Sequence, residues 1–252
     1  MTLHSSFALY KSLKVESFAL SPKYLKIKRC FFIFEVRSCF RSVNCSHSLK
    51  GLEVCDGIDL NLGCPQTKAQ INCYGAFLMK KPEIVRSMIT ALCRECTLPI
   101  CAKIRILPTF TKTVAFTDML IESGISMLVV HGRRREKKYH RLPADLKIIR
   151  KIKEHYYDHH GLRIPIISNG NILTQKEAEQ NLKMTKCDGV MSAYGLLRNP
   201  FLFDFKTSQR DHEPARHEYL DFVAEYGLHS CYQANISYHL NKFGKSAKNC
   251  FW

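Results

Sequence analysis

The stretch IDLNLG, from Ile58 to Gly63, is a short apolar run that ends in glycine, and its recurrence decides the fold. Four more runs of this kind follow along the chain: ICAKIRIL (Ile100 to Leu107), MLVVHG (Met127 to Gly132), IPIISNG (Ile164 to Gly170) and GVMSAY (Gly189 to Tyr194). Stretches with helical spacing of apolar residues separate them. This alternation indicates βα units and a parallel sheet. We therefore predict five βα units from residue 58 onward.

Two of the intervening stretches carry signals for the start of a helix. Pro82 takes the first-turn position that proline favours. Thr174 and Glu177 have the spacing of a capping box, in which each side chain bonds the backbone N–H of the other residue. Cys93 and Cys96 form a CxxC pair within the helix that Pro82 begins, and no second pair stands at zinc-finger spacing. We interpret these two cysteines as packing residues and expect no metal site.

The five runs end in polar residues, which helps to choose between a doubly wound sheet and a closed barrel. These residues are Asn61, Lys103, His131, Asn169 and Ser192. A TIM-type (β/α)8 barrel gathers its site at the C-terminal ends of its strands. A Rossmann sheet would be expected to carry a GxGxxG turn after its first strand, and the sequence has none. The pattern favours the barrel.

Residues 1–50 do not continue this pattern toward the N-terminus. Eight βα units would need three more before residue 58, at roughly 30 residues each, and they do not fit. The segment is basic, with Glu16 and Glu35 as its acidic residues, and has one strong apolar run, CFFIFEV from Cys30 to Val36. A replaced N-terminus, an incorrect gene model and a basic targeting sequence stay open as explanations. We expect a barrel that is incomplete on its N-terminal side.

The pattern changes again after residue 206, where apolar residues take helical spacing. Tyr219, Phe222, Val223 and Tyr226 have this spacing. We predict three segments in all. They are a divergent basic segment over residues 1–50, a barrel portion over residues 51–206 and a partial helical region over residues 207–252.

Composition bounds the classes of function. The chain has 252 residues, 46% of them hydrophobic, and its 38 Lys and Arg against 22 Asp and Glu give a formal net charge of +16. Such a field attracts polyanions, so nucleic acid is the first partner to expect, with a solvated basic surface as the alternative. No run approaches the ~18 apolar residues of a membrane span, so we expect a soluble protein. The twelve scattered cysteines favour reduced thiols in the cytoplasm, with nuclear and mitochondrial locations as alternatives.

Cys64 follows the first of the five runs, between Gly63 and Pro65. A cysteine there is placed to face a pocket at the strand ends, although a lone cysteine is more often a packing residue. The stretch DLNLGCPQTKAQINCYGAFL, Asp59 to Leu78, resembles the tRNA-dihydrouridine synthases, especially the tRNA-dihydrouridine(16/17) synthases. The resemblance covers residues 48–206 and continues in order through PICAKIRIL (Pro99 to Leu107), LVVHGR (Leu128 to Arg133), ISNGNI (Ile167 to Ile172) and VMSAYGLLRNPFLF (Val190 to Phe203).

The resemblance implies a flavin-dependent oxidoreductase that reduces uridine to 5,6-dihydrouridine in the D-loop of tRNA. In that family NAD(P)H reduces FMN, the reduced flavin passes hydride to C6 of uridine, and the cysteine of LNLGCP protonates C5. Cys64 is that cysteine here. Ordinary thiols have a pKa of ~8.5 and are mostly protonated at pH 7, so such a group can donate a proton and is a poor nucleophile. The implied partner is tRNA, with no membrane and no obligate protein partner.

The resemblance also implies residues that bind cofactor and substrate. Those for FMN are Lys103, His131, Asn169, Gly170, Asn171, Ala193 and Tyr194. A cation beside the flavin would stabilise the charge of the reduced ring, and the loops after the last two strands would cradle the phosphate. Those for uridine and tRNA are Asn61, Arg105 and Arg133, the last of which begins a basic stretch that reaches Lys138. Without the resemblance, each would be an ordinary strand-end, turn or solvated residue.

Three features depart from the family's pattern. Residues 1–50 have no counterpart of the first-strand FMN loop or of the strand that supplies a flavin-contacting glutamine. Asn72 stands where relatives carry glycine, and asparagine tolerates the left-handed backbone better than most residues. The helical region is shorter than the family's. Two other functions stay open: an inactive remnant that binds RNA through its charge alone, and an FMN barrel oxidoreductase that acts on small molecules.

Overall fold

The computed structural model describes residues 18–20, 32–34, 57–136, 142–159, 164–203, 213–226 and 233–243. The strands within these ranges are β1 (Phe18–Leu20), β2 (Phe32–Phe34), β3 (Ile58–Leu62), β4 (Ile100–Arg105), β5 (Met127–His131), β6 (Ile166–Asn169) and β7 (Gly189–Met191). The α-helices are α1 (Thr67–Ile71), α2 (Pro82–Glu95), α3 (Phe110–Glu122), α4 (Leu146–His159), α5 (Gln175–Thr185), α6 (Tyr194–Arg198), α7 (Glu213–Tyr226) and α8 (Gln233–Leu240). A 3-10 helix, Gly75–Lys80, lies between α1 and α2.

The strands form one sheet in the order β1-β7-β6-β5-β4-β3-β2. Neighbours from β2 to β7 are parallel, while β1 pairs antiparallel with β7. From β2 to β7, each strand lies next to the strand that follows it in the sequence. This order is that of a (β/α)8 barrel, whereas a doubly wound sheet reverses its strand order at one point. The predicted parallel α/β fold is confirmed. Among the described strands no ladder joins β1 to β2, and the residues that bear on the predicted incompleteness of the barrel lie outside the described ranges.

Two short strands come from the basic N-terminal segment. The apolar run Cys30 to Val36 contains β2, which pairs in parallel with β3 through Phe32 and Ile58. The sequence pattern did not indicate β1, which reaches the opposite edge of the sheet and pairs Phe18 with Met191. The segment therefore extends the sheet at both edges.

The helices begin where local chemistry favours them. Pro82 occupies the first turn of α2, as predicted. The capping box of α5 is present, with the Thr174 hydroxyl accepting from the Glu177 N–H and the Glu177 carboxylate accepting from the Thr174 N–H. Helix α3 begins in a similar way, since the Thr109 hydroxyl accepts from the Lys112 N–H. Such caps satisfy N–H groups that the first turn leaves without partners.

One face of the sheet carries the main hydrophobic core. Leu60, Ala102 and Leu128 point toward the helices, and all are fully buried. Helix α2 covers this face with residues at helical spacing, which are Val85, Met88, Ile89 and Leu92. Burial of each such side chain contributes about 2 kcal/mol relative to its exposure to water. This core holds the strands in place. The polar residues predicted for the site lie on the other face of the same strands.

The opposite face, which we call the inner face, carries three layers of side chains set by the register of the strands. The first layer holds Asp59, Cys101 and Met127, and the second holds Asn61, Lys103 and Val129. The third holds Arg105, His131, Asn169 and Met191. Asp59 supplies the one carboxyl group on this face between β3 and β7, and it is 4% exposed. Burial and the negative charge of Asp59 raise the pKa of the Cys101 thiol.

The helical pattern predicted after residue 206 is present as α7 and α8. The ring of Tyr219 in α7 meets the ring of Phe243, which follows α8, edge to face with centroids 5.9 Å apart. None of the helices in the described ranges combines the length and the apolar character that crossing a bilayer requires.

The predicted segment boundaries at residues 50 and 206 stay predictions.

Candidate active site

Three of the predicted site residues share one edge of the inner face. In the register of the sheet, Arg105 pairs with His131 and His131 pairs with Asn169. Lys103 lies one layer deeper, beside Asn61. Because the C-terminal ends of parallel strands meet at one edge, residues from β3 to β6 come together although the sequence separates them.

The imidazole of His131 lies among cations. Its pKa is well below the usual range because it is buried and because Arg105, Lys103 and Arg133 repel a positive charge on the ring, while the Asn169 side chain works in the opposite direction through a hydrogen bond. The ring is therefore neutral at pH 7. Its buried Nδ1 atom has no hydrogen-bond partner among the described residues. A neutral ring with one unused nitrogen can bond a ligand that enters this edge.

Asn169 is held from the neighbouring strand. Its Nδ2 donates to the carbonyl oxygen of Met191 at 2.8 Å. The turn that follows β7 is fixed by Ser192, whose hydroxyl donates to Ile172 O at 2.8 Å and accepts from Gly195 N at 3.2 Å. The loops after β6 and β7, which the resemblance assigns to a phosphate, are thus bonded to each other.

The loop after β6 is built around Asn171 and Gly170. Asn171 has a left-handed backbone, with φ of 58°, and its side chain donates from Nδ2 to Ala144 O at 3.0 Å. Gly170 has φ of +120°, and a Cβ there would lie 2.6 Å from the Ala144 Cβ and 3.5 Å from His131 Nδ1. Glycine is required here because a side chain would clash with Ala144 and because L-residues rarely adopt this positive φ.

Cys64 is half-buried and its backbone is tightly held. The Asn61 side chain accepts from the N–H of Gly63 at 3.0 Å, and the Cys64 carbonyl accepts from the N–H of Ala76 at 3.0 Å. Gly75 has φ of +61°, and a Cβ there would lie 2.7 Å from the Cys64 carbonyl oxygen. The thiol therefore stands on a loop whose path is fixed on both sides.

Asn72, which stands where relatives carry glycine, does not take a left-handed backbone. Asn72 has φ of −94°, and the left-handed residues are Cys73, with φ of 52°, and Gly75. Asn72 instead ends α1, and its Nδ2 donates to Lys68 O at 2.8 Å. The left-handed residues of this turn thus lie two positions before the 3-10 helix, at Cys73, and at its first residue, Gly75.

Arg105 connects the cations to the cysteine loop. Its Nε donates to the carbonyl oxygen of Gly63 at 2.6 Å, and its Nη1 contacts Arg134 O at 3.5 Å. Burial and the charge of Arg133 lower the pKa of Arg105 to about 10, although Cys64 acts to raise it. Arg105 therefore keeps its charge at pH 7. Part of its donor capacity is used by the protein.

Arg133 also bonds within the protein. It is 9% exposed, its Nε donates to Leu142 O at 2.6 Å and its Nη2 donates to Asn171 Oδ1 at 3.0 Å. Burial lowers its pKa. The structure thus places Arg133 between two loops at the mouth, and its predicted contact with substrate stays a prediction.

The rest of the basic stretch points to other loops. Arg134 Nη2 donates to Pro108 O at 2.6 Å. The Arg135 guanidinium lies 4.8 Å from the centroid of the Phe77 ring and pairs with Glu136 at 2.7 Å. Lys137 and Lys138 lie outside the described residues. The sequence carried no signal for Phe77, because an aromatic residue in a buried segment looks like ordinary core.

Tyr194 brings the last loop of the sheet to the C-terminal helices. Its ring lies 5.9 Å from the charged groups of both Arg198 and Lys242. Lys242 also lies 4.9 Å from the ring of Tyr238. Ala193 precedes α6, and its carbonyl accepts from Leu197 N at 3.1 Å. The ring of Tyr194 therefore has a packing role that the resemblance did not imply.

Of the two cysteines predicted to be packing residues, Cys96 packs against the main core, whereas Cys93 is exposed. Cys93 lies in α2 and its thiol contacts Gly124 O at 3.4 Å, while Cys96 caps the helix. All six cysteines in the described ranges are free thiols.

Comparison with known proteins supports the resemblance. The family model for dihydrouridine synthase (Dus) matches residues 47–250. A tRNA-dihydrouridine(16/17) synthase of Schizosaccharomyces pombe is 37% identical over 186 residues, which are 71% of this chain and 46% of that protein. A mouse protein named tRNA-dihydrouridine(16/17) synthase-like is 37% identical over 196 residues, which are 77% of this chain and 39% of that protein.

A human protein named tRNA-dihydrouridine(20a/20b) synthase-like is 34% identical over 193 residues, 74% of this chain and 57% of that protein. The chain thus spans about half the length of the curated relatives it matches. Among solved structures, DHODH of Eimeria tenella in complex with ferulenol matches with a TM-score of 0.44 and 17% identity, over 62% of this chain and 49% of that one.

Proposed function

The chain belongs to the dihydrouridine synthase family, and from this premise we propose that it reduces uridine to 5,6-dihydrouridine in the D-loop of tRNA as a flavin-dependent oxidoreductase. One contact supports this proposal above the others. Arg105 Nε reaches the Gly63 carbonyl at 2.6 Å, so the loop of Cys64 lies directly beside the inner-face edge that carries Lys103 and His131.

The residues at this edge fit FMN. Lys103, Arg105 and Arg133 provide positive charge for an anionic cofactor, and the buried Nδ1 of His131 is available to it. The close passage of Gly170 beside His131 leaves the backbone of the loop after β6 near the same edge. Lys103 and His131 would contact the flavin. Backbone N–H groups of two loops would hold its phosphate, and those loops contain the residues Asn169, Gly170, Asn171, Ala193 and Tyr194.

When bound, FMN reduced by NAD(P)H supplies the hydride that C6 of uridine accepts. The chain's own residues do the rest. Lys103 would hold a positive charge beside the flavin and so would stabilise the negative charge of its reduced ring. The thiol of Cys64 donates its proton to C5 of uridine, and its backbone, held by Ala76 N and by the contacts of Gly63, keeps the sulfur in one place. Asn61 and Arg105 both bond the backbone of Gly63, next to Cys64, and would contact the uridine there.

The net charge of +16 suits a tRNA partner, since each Lys or Arg that contacts a phosphate releases a counterion. Arg133 would assist substrate binding at the mouth. We place this activity in the cytoplasm, where thiols stay reduced, in keeping with the free thiols of the described residues.

The test compares the two cysteines on either side of α1. In the purified 252-residue chain supplied with FMN, NADPH and unmodified tRNA, Cys64→Ala should lose most dihydrouridine formation while flavin binding and flavin reduction continue. Cys73→Ala is the matched control, because Cys73 lies just beyond the other end of α1 and is exposed. Equal dihydrouridine formation by the parent and Cys64→Ala would exclude Cys64 as the acid.

Charge supports a second candidate, an RNA-binding remnant without catalysis. With a net charge of +16, the chain should bind RNA with an affinity that falls as salt rises, whatever its chemistry. A flavin absorption spectrum separates the two functions. Bound FMN supports the oxidoreductase, whereas salt-dependent RNA binding by a chain that takes up no flavin supports the remnant.

A further inference from the structure

The three consecutive arginines after β5 contact four different segments of the chain. Arg133 bonds Leu142 and Asn171, in the loops before α4 and after β6. Arg134 bonds the Pro108 carbonyl, in the loop after β4. Arg135 stacks on Phe77, in the 3-10 helix that follows the loop of Cys64. The stretch therefore makes specific contacts inside the protein, which a solvated basic loop would not make.

The partner of Arg135 adjoins the residues that hold Cys64. Phe77 directly follows Ala76, whose N–H donates to the Cys64 carbonyl at 3.0 Å. Gly75 packs so closely on Cys64 that a Cβ at Gly75 would lie 2.8 Å from the Cys64 Cβ. A shift of the Phe77 ring would move these two residues with it, because they form one short 3-10 helix.

The other side of Cys64 is tied to the same arginine stretch. Arg105 Nε holds the Gly63 carbonyl, and Arg105 Nη1 contacts the Arg134 carbonyl. The loop after β5 thus contacts the cysteine loop before Cys64, through Arg105, and after it, through Phe77.

We propose that Arg135 is a positioning residue for Cys64, acting through Phe77. The proposal rests on the proposed function, in which Cys64 is the proton donor. The Arg135 side chain is 20% exposed, so its contact with the ring is stronger than that of a fully exposed arginine. Its ion pair with Glu136 contributes less, since the Glu136 side chain is 58% exposed.

A tRNA phosphate contact is the other role open to Arg135, and Phe77 distinguishes the two. Phe77→Leu keeps every charge of the protein and removes the ring, so a phosphate contact would survive it. A positioning role would not. Arg135→Gln and Phe77→Leu should therefore have the same effect, and their combination should add little to either.

The first measurement does not depend on catalysis. The rate at which iodoacetamide modifies Cys64 is followed by peptide mass spectrometry in the whole chain, with Cys73 in the same digest as the internal reference. Each single variant should raise the Cys64 rate about two- to fivefold, as expected for loss of a cation–π contact. Glu136→Gln is the matched control and should leave the rate unchanged, because the stacked pair stays intact.

The second measurement uses the two half-reactions. In Arg135→Gln and Phe77→Leu, reduction of FMN by NADPH should keep the parent rate, while oxidation of the reduced enzyme by tRNA slows and the KM for tRNA stays constant. If Arg135→Gln raises the KM for tRNA while Phe77→Leu keeps the parental KM and rate, Arg135 binds phosphate and the proposal is overturned. Unchanged or additive Cys64 labelling would overturn it as well. Coupled labelling in a chain that forms no dihydrouridine would support the contact and refute the proposed function alone.

Discussion

Asn171 and Ala144 hold each other through a pair of hydrogen bonds, with the Asn171 amide donating to the Ala144 carbonyl at 3.0 Å and accepting from the Ala144 N–H at 2.8 Å. The same Oδ1 atom also accepts from Arg133 Nη2 at 3.0 Å. One amide group therefore joins the loop after β6 to the segment before α4 and to the arginine of the HGR motif.

Removing this amide should destabilise the protein strongly. Asn171→Ala should lower the free energy of unfolding by about 3 kcal/mol, because it leaves a backbone N–H and an arginine donor without an acceptor. Urea unfolding measures the loss. Asn72→Ala is the control, since that exposed side chain makes one hydrogen bond and its removal should cost about 0.5 kcal/mol or less. Equal losses in the two variants would contradict the joining role.

Lys153 and Asp188 form the most enclosed ion pair of the described residues, with side chains 16% and 13% exposed and an N–O distance of 2.6 Å. Asp188 Oδ2 also accepts from the N–H of Ile166 at the start of β6. Asp188→Ala should cost about 3 kcal/mol, because it leaves Lys153 enclosed without its partner. In the exposed pair Arg150–Glu154, Glu154→Ala should cost about 0.5 kcal/mol or less. Similar unfolding midpoints for both variants would count against this difference.

His131 should make stability depend on pH. Its pKa in the folded protein lies well below its value of about 6.5 in the unfolded chain. The unfolded chain therefore takes up a proton first as pH falls below ~6.5, and stability decreases from there toward the folded pKa with a slope of up to about 1.4 kcal/mol per pH unit. Above pH 6.5 this contribution is fully present.

Urea unfolding of His131→Gln between pH 5 and pH 7 measures that slope. The variant should lose part of the pH dependence shown by the parent. His217→Gln, which changes an exposed histidine of α7, is the control and should retain the parental slope. If His131→Gln and the parent show the same slope, His131 does not titrate as the structure implies.

Lys103 should matter for flavin binding. Lys103→Ala should weaken FMN binding about tenfold or more, since a charge-assisted hydrogen bond contributes about 1.5–3 kcal/mol. Lys103→Arg should be intermediate, because it keeps the charge with a different shape. Quenching of flavin fluorescence gives the affinity, and Lys112→Ala, on the exposed side of α3, is the control. The same affinity in all three variants and the parent would rule out this contact.

Much of the sheet could be predicted because its signals are local. The runs that begin at Ile58, Ile100 and Met127 form strands that begin at those residues. The sequence pattern placed the C-terminal ends of the strands one to three residues too late. For example, β4 leaves its ladder after Arg105, because the Leu107 N–H bonds the Thr113 hydroxyl instead. The capping box of Thr174 was predicted for the same reason, since both partners lie within one turn.

Other features depend on contacts between distant segments. The pairing of Phe18 with Met191 joins residues that are far apart in the sequence, and no local sequence pattern predicts it. The contacts of Arg133, Arg134 and Arg135 could not be predicted either. The three residues are identical in sequence, and their partners depend on which distant loop folds beside each one. The edge that gathers Lys103, His131 and Asn169 could be predicted, since the end of a parallel strand fixes it.

The layered inner face has an electrical polarity along the strands. Its deepest described layer holds the carboxyl group of Asp59, whose negative charge reaches Cys101. The upper layers hold the positive charges of Lys103 and Arg105, which act together on His131. A negatively charged group that enters from the mouth is drawn inward by these cations and repelled if it moves deeper toward Asp59. An anion at this edge of the inner face is therefore held beside Lys103 and Arg105, above the layer that contains Asp59.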